Sequence, residues 1–349
     1  MPSTVSFPTQ PEALTVAWLN DKLADVIGEP VEAFDVQLFG EGAGIIGQVT
    51  RLRLTTPAGE RSVIAKFPSP APENRAVAAT YNMYGREVLF YQEIARLISL
   101  RVPDSYFAAF DAGPQDFVIL MEDLQGYRIG DQVAGCTDAE AALVVEGIAR
   151  LHASTWEIQH DRLISHNNPA QRDGMIGGFG VGWPVVSEQF PDLLPAGADK
   201  LADKLPDAVG RLLDAMCTPP VSVAHADVRL DNVFFADDEI ALVDWQSVCT
   251  SAPEQDLAYF VTQSLGKGQR AAQDWVALYH DALTANGVTN YSLEQCRDRY
   301  RTSALYLACY AVIIAGTLDL GNERGMQLGR TLFGNCMASL EELDALALL

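Results

Sequence analysis

Basic residues are scarce. The 349-residue chain has 24 Lys and Arg against 46 Asp and Glu, a formal net charge of −22. A protein that grips nucleic acid needs a basic face, and one that docks on anionic lipid needs clustered Lys and Arg, so both classes are disfavoured. The charge permits a cationic substrate, although solubility accounts for it without one. Cysteines are few and scattered, at 136, 217, 249, 296, 309 and 336, with no CxxC spacing. That pattern reads as a reduced, cytoplasmic protein whose cysteines serve packing. No basic region followed by an apolar run opens the sequence, so no signal peptide is visible. Long hydrophobic runs are missing too. The longest uncharged stretch, Thr302 to Leu318, holds Ser303 and Gly316 and predicts a buried helix rather than membrane insertion. Repeats and low-complexity tracts are absent. A hydrophobic content of 48% with 20% charge is that of a globular chain, long enough for one large domain or two lobes.

Periodicity supplies the elements. An amphipathic helix is expected over 11–28, a strand over 34–39, and a β-hairpin over 49–67 with TPAGE (56–60) as its turn. Residues 81–99 place Val88, Tyr91, Ile94 and Ile98 on one helical stripe, and 117–121 reads as a buried strand. Thr137 with Glu140 forms a capping box ahead of a helix ending near Trp156. Residues 157–205 read as irregular and glycine-rich before more helix follows. Strands are expected at 220–224 and 240–244, and helices beyond 255. The expected class is α+β, with a small β-rich lobe (1–124) and a larger α-helical lobe (125–349).

Three motifs carry chemistry. Gly42-Ala-Gly44-Ile-Ile-Gly47-Gln-Val49 is a GxGxxGxV. A dinucleotide-binding glycine loop opens a helix, whereas this one runs into strand periodicity, the arrangement that covers ATP phosphates; an ordinary hairpin turn fits equally. No GxxxxGK[ST] occurs. Val63-Ile-Ala-Lys66 puts an ammonium late in an apolar strand, where burial demands a partner. Glu87 is the first candidate and Glu93 the second. Then come His225-Ala-Asp227-Val-Arg229-Leu-Asp231-Asn232 and, twelve residues later, Asp244 at the end of an apolar strand. Phosphoryl transfer needs a carboxylate to take the hydroxyl proton and oxygen ligands for Mg²⁺. Turn-forming aspartates alone do not explain the His, two Asp and Asn arriving at these intervals.

With those motifs in place, the chain resembles the aminoglycoside phosphotransferase and choline kinase superfamily, nearest the ecdysteroid-kinase-like branch. Ile119-Leu-Met121-Glu122-Asp123-Leu124 is similar to the family's hinge. Gly130-Asp131-Gln132, Leu151-His152-Ala153 with Trp156, and Asp256-Leu257-Ala258 are similar to further family segments. The resemblance implies a bilobal protein-kinase-like fold that uses ATP and Mg²⁺. It implies Asp227 as catalytic base and Asn232 and Asp244 as Mg²⁺ ligands. Lys66, held by Glu87, would grip phosphates under Gly42, Gly44 and Gly47, and Met121 to Leu124 would lie against adenine. His225 and Asp256 would shape the catalytic loop, and Arg229 would neutralise transferred charge.

Departures narrow the reading. Ala226 stands where the family has glycine. Trp245-Gln246 follows Asp244 where protein kinases have Phe-Gly, and no APE segment follows, which argues against a protein substrate. His152, on an inner helix face, reads as a hydrogen-bonded core histidine. Phe179, Trp183 and Phe190 suggest an apolar wall over the acceptor, with Asp131 as a further substrate contact. The expected acceptor is a small, largely uncharged alcohol. Hydroxyacyl-CoA, aminoglycoside or choline kinases are alternatives, as is a catalytically inactive ATP-binding regulator. Oligomeric state stays open.

Overall fold

The computed structural model describes residues 7–39, 46–318 and 320–349. Gly42 and Gly44 of the glycine motif lie outside the described residues. In chain order the elements are α1 (Val16–Ile27), β1 (Ala33–Leu38), β2 (Gly47–Thr56), β3 (Gly59–Pro68), α2 (Pro72–Thr80), α3 (Met83–Leu89), β4 (Ser105–Asp111) and β5 (Asp116–Glu122). There follow β6 (Arg128–Ile129), α4 (Asp138–Ser154), α5 (Pro169–Gln189), α6 (Ala198–Met216), β7 (Ser222–Ala224), β8 (Val233–Phe235), β9 (Ile240–Leu242) and β10 (Cys249–Ser251). The last are α7 (Glu254–Ser264), α8 (Lys267–Ala272), α9 (Trp275–Ala285), α10 (Leu293–Thr317) and α11 (Glu323–Glu342).

The chain divides into two compact units. The first takes the chain up to Arg96 together with Val102–Gly126 and Asp244–Ser247; the second takes Leu97–Arg101, Tyr127–Val243 and Val248–Leu349. Asp244–Ser247 were expected in the second lobe by sequence position. They join the first unit because Trp245 is fully buried and stacks on Phe90 with ring centroids 3.8 Å apart.

In the first unit five antiparallel strands lie in the order β1-β2-β3-β5-β4. Strand side chains alternate between faces. Leu52 and Leu54 on β2, and Val63, Ala65 and Phe67 on β3, therefore share one buried face with Leu19 and Leu23 of α1. The Thr15 hydroxyl caps α1 by accepting from the Trp18 amide, and Gly28 ends the helix at φ +78°. The helix expected over 81–99 is wound unevenly. After α3 comes a π-helical turn at Phe90–Ile94 and a 3₁₀ turn at Ala95–Leu97. The added residue keeps Val88, Tyr91 and Ile94 buried on one side.

The second unit is helical around two small sheets, β6-β8-β9 and β10-β7. The Thr137–Glu140 capping box opens α4 as expected. The uncharged stretch from Thr302 lies within α10 up to Thr317 and is largely buried. Among the described residues no helix is long and apolar enough to cross a membrane. The segment 157–205 departs from expectation, because most of it is helix. Asn168 caps α5 through the Gln171 amide. Gly182 there is a contact point between helices: a Cβ on it would stand 2.6 Å from the Val312 carbonyl oxygen, and one on Gly316 of α10 would stand 2.6 Å from the Gly182 Cα. α5 and α10 thus pack backbone to backbone.

Candidate active site

Two clusters hold the motif residues, each inside one unit. In the first unit β2 pairs with β3 so that Val49 lies opposite Lys66. β3 pairs in turn with β5, putting Lys66 opposite Ile119. The Lys66 ammonium meets Glu87 Oε1 at 2.5 Å and Asp244 Oδ1 at 2.9 Å. Glu87 is the partner, and it also accepts from the Trp245 amide. Burial works against the lysine's charge, but Asp244 and then Glu87 outweigh it and raise the pKa above the ordinary lysine value. Burial pushes Glu87 upward against the pull of Lys66, with Asp244 adding to the push. We take the ammonium as charged, since two carboxyl groups converge on it. Tyr84 anchors the end of the glycine motif, because its hydroxyl donates to the Ile46 carbonyl at 2.6 Å and accepts from the Ser69 amide.

Asp244 sits at φ +68°, in the left-handed region that Asp tolerates better than most side chains. Its side chain keeps 25% exposure, and Oδ2 accepts from Gln246.

In the second unit the segment from His225 to Asn232 folds as a tight loop. Asp227 is held at both carboxylate oxygens. Oδ1 accepts from the Tyr259 hydroxyl at 2.8 Å and Oδ2 from Asn232 Nδ2 at 3.1 Å. Arg229 Nε stands 3.8 Å from Oδ1. Asn232 Nδ2 also donates to the Asp227 carbonyl at 2.9 Å, which turns the amide oxygen to the opposite side. His225 Nδ1 accepts from the Asp227 amide and Nε2 donates to the Val243 carbonyl, defining the Nε2–H tautomer. His225 therefore shapes the loop.

Asp256, fully buried near the start of α7, accepts the amides of His225 and Ala226 at 2.7 and 2.8 Å. Burial opposes its charge, yet the His152 contact and the His225 amide hold its pKa below the ordinary value. The Ala226 amide bond matters because Ala226 sits at φ +63°. There an alanine stands where glycine would be unstrained, at a cost of about 1–2 kcal/mol. His152 is the core histidine expected, with Tyr279 on Nδ1 at 2.6 Å and Asp256 on Nε2 at 3.2 Å.

Sequence reasoning gave no role to Gln132 or Tyr259. The Gln132 side chain accepts from the Leu230 amide, and the Gln132 backbone N–H donates to Asp231. Gly130 permits this approach, since a Cβ there would meet the Leu230 carbonyl oxygen at 2.3 Å. Tyr259 had a signal: it follows Asp256 by three positions, which on a helix is the same face.

Other expected residues serve different ends. Phe179 is 2% exposed and stacks on Trp183, and Phe190 is fully buried against Phe333. An apolar wall built from these rings is corrected: Phe179 and Phe190 belong to the core, and Trp183 is half-buried. Asp131 caps the Val133 and Ala134 amides and pairs with Arg324 at 3.2 Å. The carboxylate of Asp123 is bound by Arg51 and Ser62, and that of Glu122 accepts from the Asp104 amide. Met121 and Leu124 are buried.

Of the two expected Mg²⁺ ligands, Asp244 lies in the first unit and Asn232 in the second. Each carries a hard oxygen donor of the kind that ion takes, a carboxylate and an amide oxygen. Among the described residues no group of three or more His, Cys, Asp or Glu gathers around a metal position.

An antiparallel five-stranded sheet bearing the lysine–glutamate pair, with a helical unit bearing HxDxxxxN, defines a kinase-like fold of the aminoglycoside phosphotransferase and choline kinase type. The sequence profile of the ecdysteroid kinase-like family matches residues 41–288, and the chain belongs to that family. Similar solved structures include choline kinase from Cryptosporidium parvum Iowa II, at TM-score 0.59 and 11% identity, covering 96% of each chain. The gentamicin-APH(2")-IIa complex is similar at TM-score 0.53 and 13% identity, over 97% of this chain and 99% of that one. A choline/ethanolamine kinase family protein from Mesorhizobium loti follows at 0.51 and 16%, over 95% and 99%. At these identities the likeness speaks for the fold. A search of curated protein sequences returned no match.

Proposed function

We propose that this chain transfers the γ-phosphoryl group of ATP to the hydroxyl of a small, largely uncharged alcohol. The observation that carries the reading is Asp227, a carboxylate fixed at both oxygens whose side chain retains 19% exposure. In this reading Asp227 takes the acceptor's hydroxyl proton. The acceptor oxygen bonds to the γ-phosphorus as the bond to the β-phosphate oxygen breaks, leaving ADP. Arg229 offsets charge on the transferred group. Lys66 holds the phosphates, steered by Glu87. Asn232 and Asp244 would hold Mg²⁺, which when bound supplies charge neutralisation at the phosphate oxygens. With the acids of 122 and 123 engaged in the sheet, adenine contact falls to the backbone of 121–124 and the Met121 and Leu124 side chains.

The acceptor class rests on charge matching. Asp131 and Asp231, the latter within the loop, already face Arg324 and Arg229, so they offer little to a polycation. Choline and aminoglycosides are the competing acceptors. An ATP-consumption screen over hydrophobic alcohols, sterols, acyl-CoAs, amino sugars and choline decides between them. A polycation as preferred substrate overturns the acceptor assignment. Asp227→Asn should lower kcat by at least ~10²-fold with ATP affinity little changed. Near-wild-type turnover would remove Asp227 from the role, and no turnover by the wild-type protein would favour an inactive ATP-binding regulator.

A further inference from the structure

Tyr259 lies at the middle of α7 (Glu254–Ser264). Its ring is fully buried, yet its hydroxyl reaches Asp227 Oδ1 at 2.8 Å. A carboxylate is an acceptor, so the phenol donates. The second carboxylate oxygen is taken by Asn232, and together the two donors fix the plane of the Asp227 carboxylate. Behind the phenol stands Tyr310 of α10, edge-on with ring centroids 6.1 Å apart. Tyr310 is itself held by Gln171 of α5 at 2.8 Å. Three helices therefore set where the Tyr259 hydroxyl sits.

We propose that Tyr259 is a positioning residue for the phosphotransfer reaction, fixing the rotation of the Asp227 carboxylate through one donated hydrogen bond. This rests on the reading of Asp227 as the base. Without the phenol, Asp227 retains Asn232 on one oxygen and turns about its side-chain bond. Misorientation of a base costs rate without altering nucleotide binding. The charged and titratable groups facing Asp227 are Arg229 on the loop, His225 through its Nδ1, and Tyr259 from α7, with Tyr310 behind. Burial, with Asp227 alongside, holds the phenol's own pKa well above its ordinary value, so it remains a donor across the working pH range.

The test is Tyr259→Phe, which keeps the ring and removes one oxygen. With MgATP and water as acceptor, and again with any alcohol found in the screen, kcat should fall roughly 10-fold while KM for ATP stays unchanged. A structural role alone would lower the amount of active protein, so kcat is referred to sites counted by nucleotide titration. An unchanged kcat per site overturns the proposal. Thermal unfolding of Tyr259→Phe, Asp227→Asn and the double variant forms an independent cycle. The two losses should be strongly non-additive, and additivity would overturn the link even if the Phe variant were too unstable to assay. Should the wild-type protein transfer no phosphate, the kinase reading falls on its own, and the cycle still decides whether Tyr259 holds Asp227.

Discussion

At the scale of single residues, Asp256 has the most leverage on the loop from His225 to Asn232. One buried carboxylate receives two consecutive backbone amides and His152. An asparagine keeps the shape but presents an NH₂ where an oxygen accepted a backbone amide. Asp256→Asn should therefore cost about 2–4 kcal/mol. Its pH dependence has a definite sign. The folded-state pKa is lowered, so the stabilisation is present above the unfolded value of roughly 3.9 and is lost as pH falls through the folded value. The stability gap between wild type and variant should close below about pH 4. Urea titrations at pH 7 and pH 3.5 measure it, and a gap of equal size at both would refute the account. Much of this was legible beforehand: His225, Asp227, Asn232 and Asp244 are held at fixed intervals along a short stretch, and short-range spacing survives into structure. Tyr259 left only its three-residue spacing from Asp256; its contact with Asp227 is created by packing α7 against the loop, an adjacency that no interval in the chain records.

At the scale of elements, α5 is the instructive failure. Its buried positions are Gln171, Met175, Phe179, Gly182 and Val186, spaced at helical intervals. Two of the five are glutamine and glycine, so counting apolar residues misses the stripe. The glycines that suggested an irregular loop are of two kinds. Gly182 lies against the α10 backbone, whereas Gly177 and Gly180 face open space. Alanine should act oppositely at the two kinds. Gly182→Ala forces the helices apart and should destabilise by about 1–3 kcal/mol. Gly177→Ala and Gly180→Ala should each stabilise by roughly 0.5–1 kcal/mol, through reduced freedom of the unfolded chain. Denaturant midpoints for the three variants check this, and a shared sign among them would contradict the packing described. By contrast the β2–β3 hairpin was legible, since Leu52, Leu54, Val63 and Ala65 alternate strictly with outward residues.

At the scale of the whole molecule, the α+β class followed from where the periodicity changes, near residue 124. The membership of Asp244–Ser247 in the first unit did not, because a return of the chain leaves no mark on composition. Nucleotide should be felt as global stability. A ligand at one hundred times its dissociation constant adds about 2.7 kcal/mol, which for a chain of 349 residues is a rise of roughly 4 °C in Tm. MgATP should give this rise and ATP with EDTA much less. Lys66→Ala should lose most of it while remaining folded by circular dichroism. A melting temperature indifferent to MgATP in the wild type would count against nucleotide binding.

The stack of Trp245 on Phe90 bears on inhibitor design. In protein kinases the packing of the residue after the metal aspartate separates active from inactive states. Here the residue that follows Asp244 is an indole with no exposed surface. Withdrawing it would return on the order of 150–250 Å² of aromatic surface to water, about 4–6 kcal/mol. A conformer with Asp244 swung outward would then be populated at about one part in a thousand or fewer. Compounds that work by capturing such a conformer would surrender that free energy before binding, and selective chemistry against this scaffold is better aimed at its resting geometry.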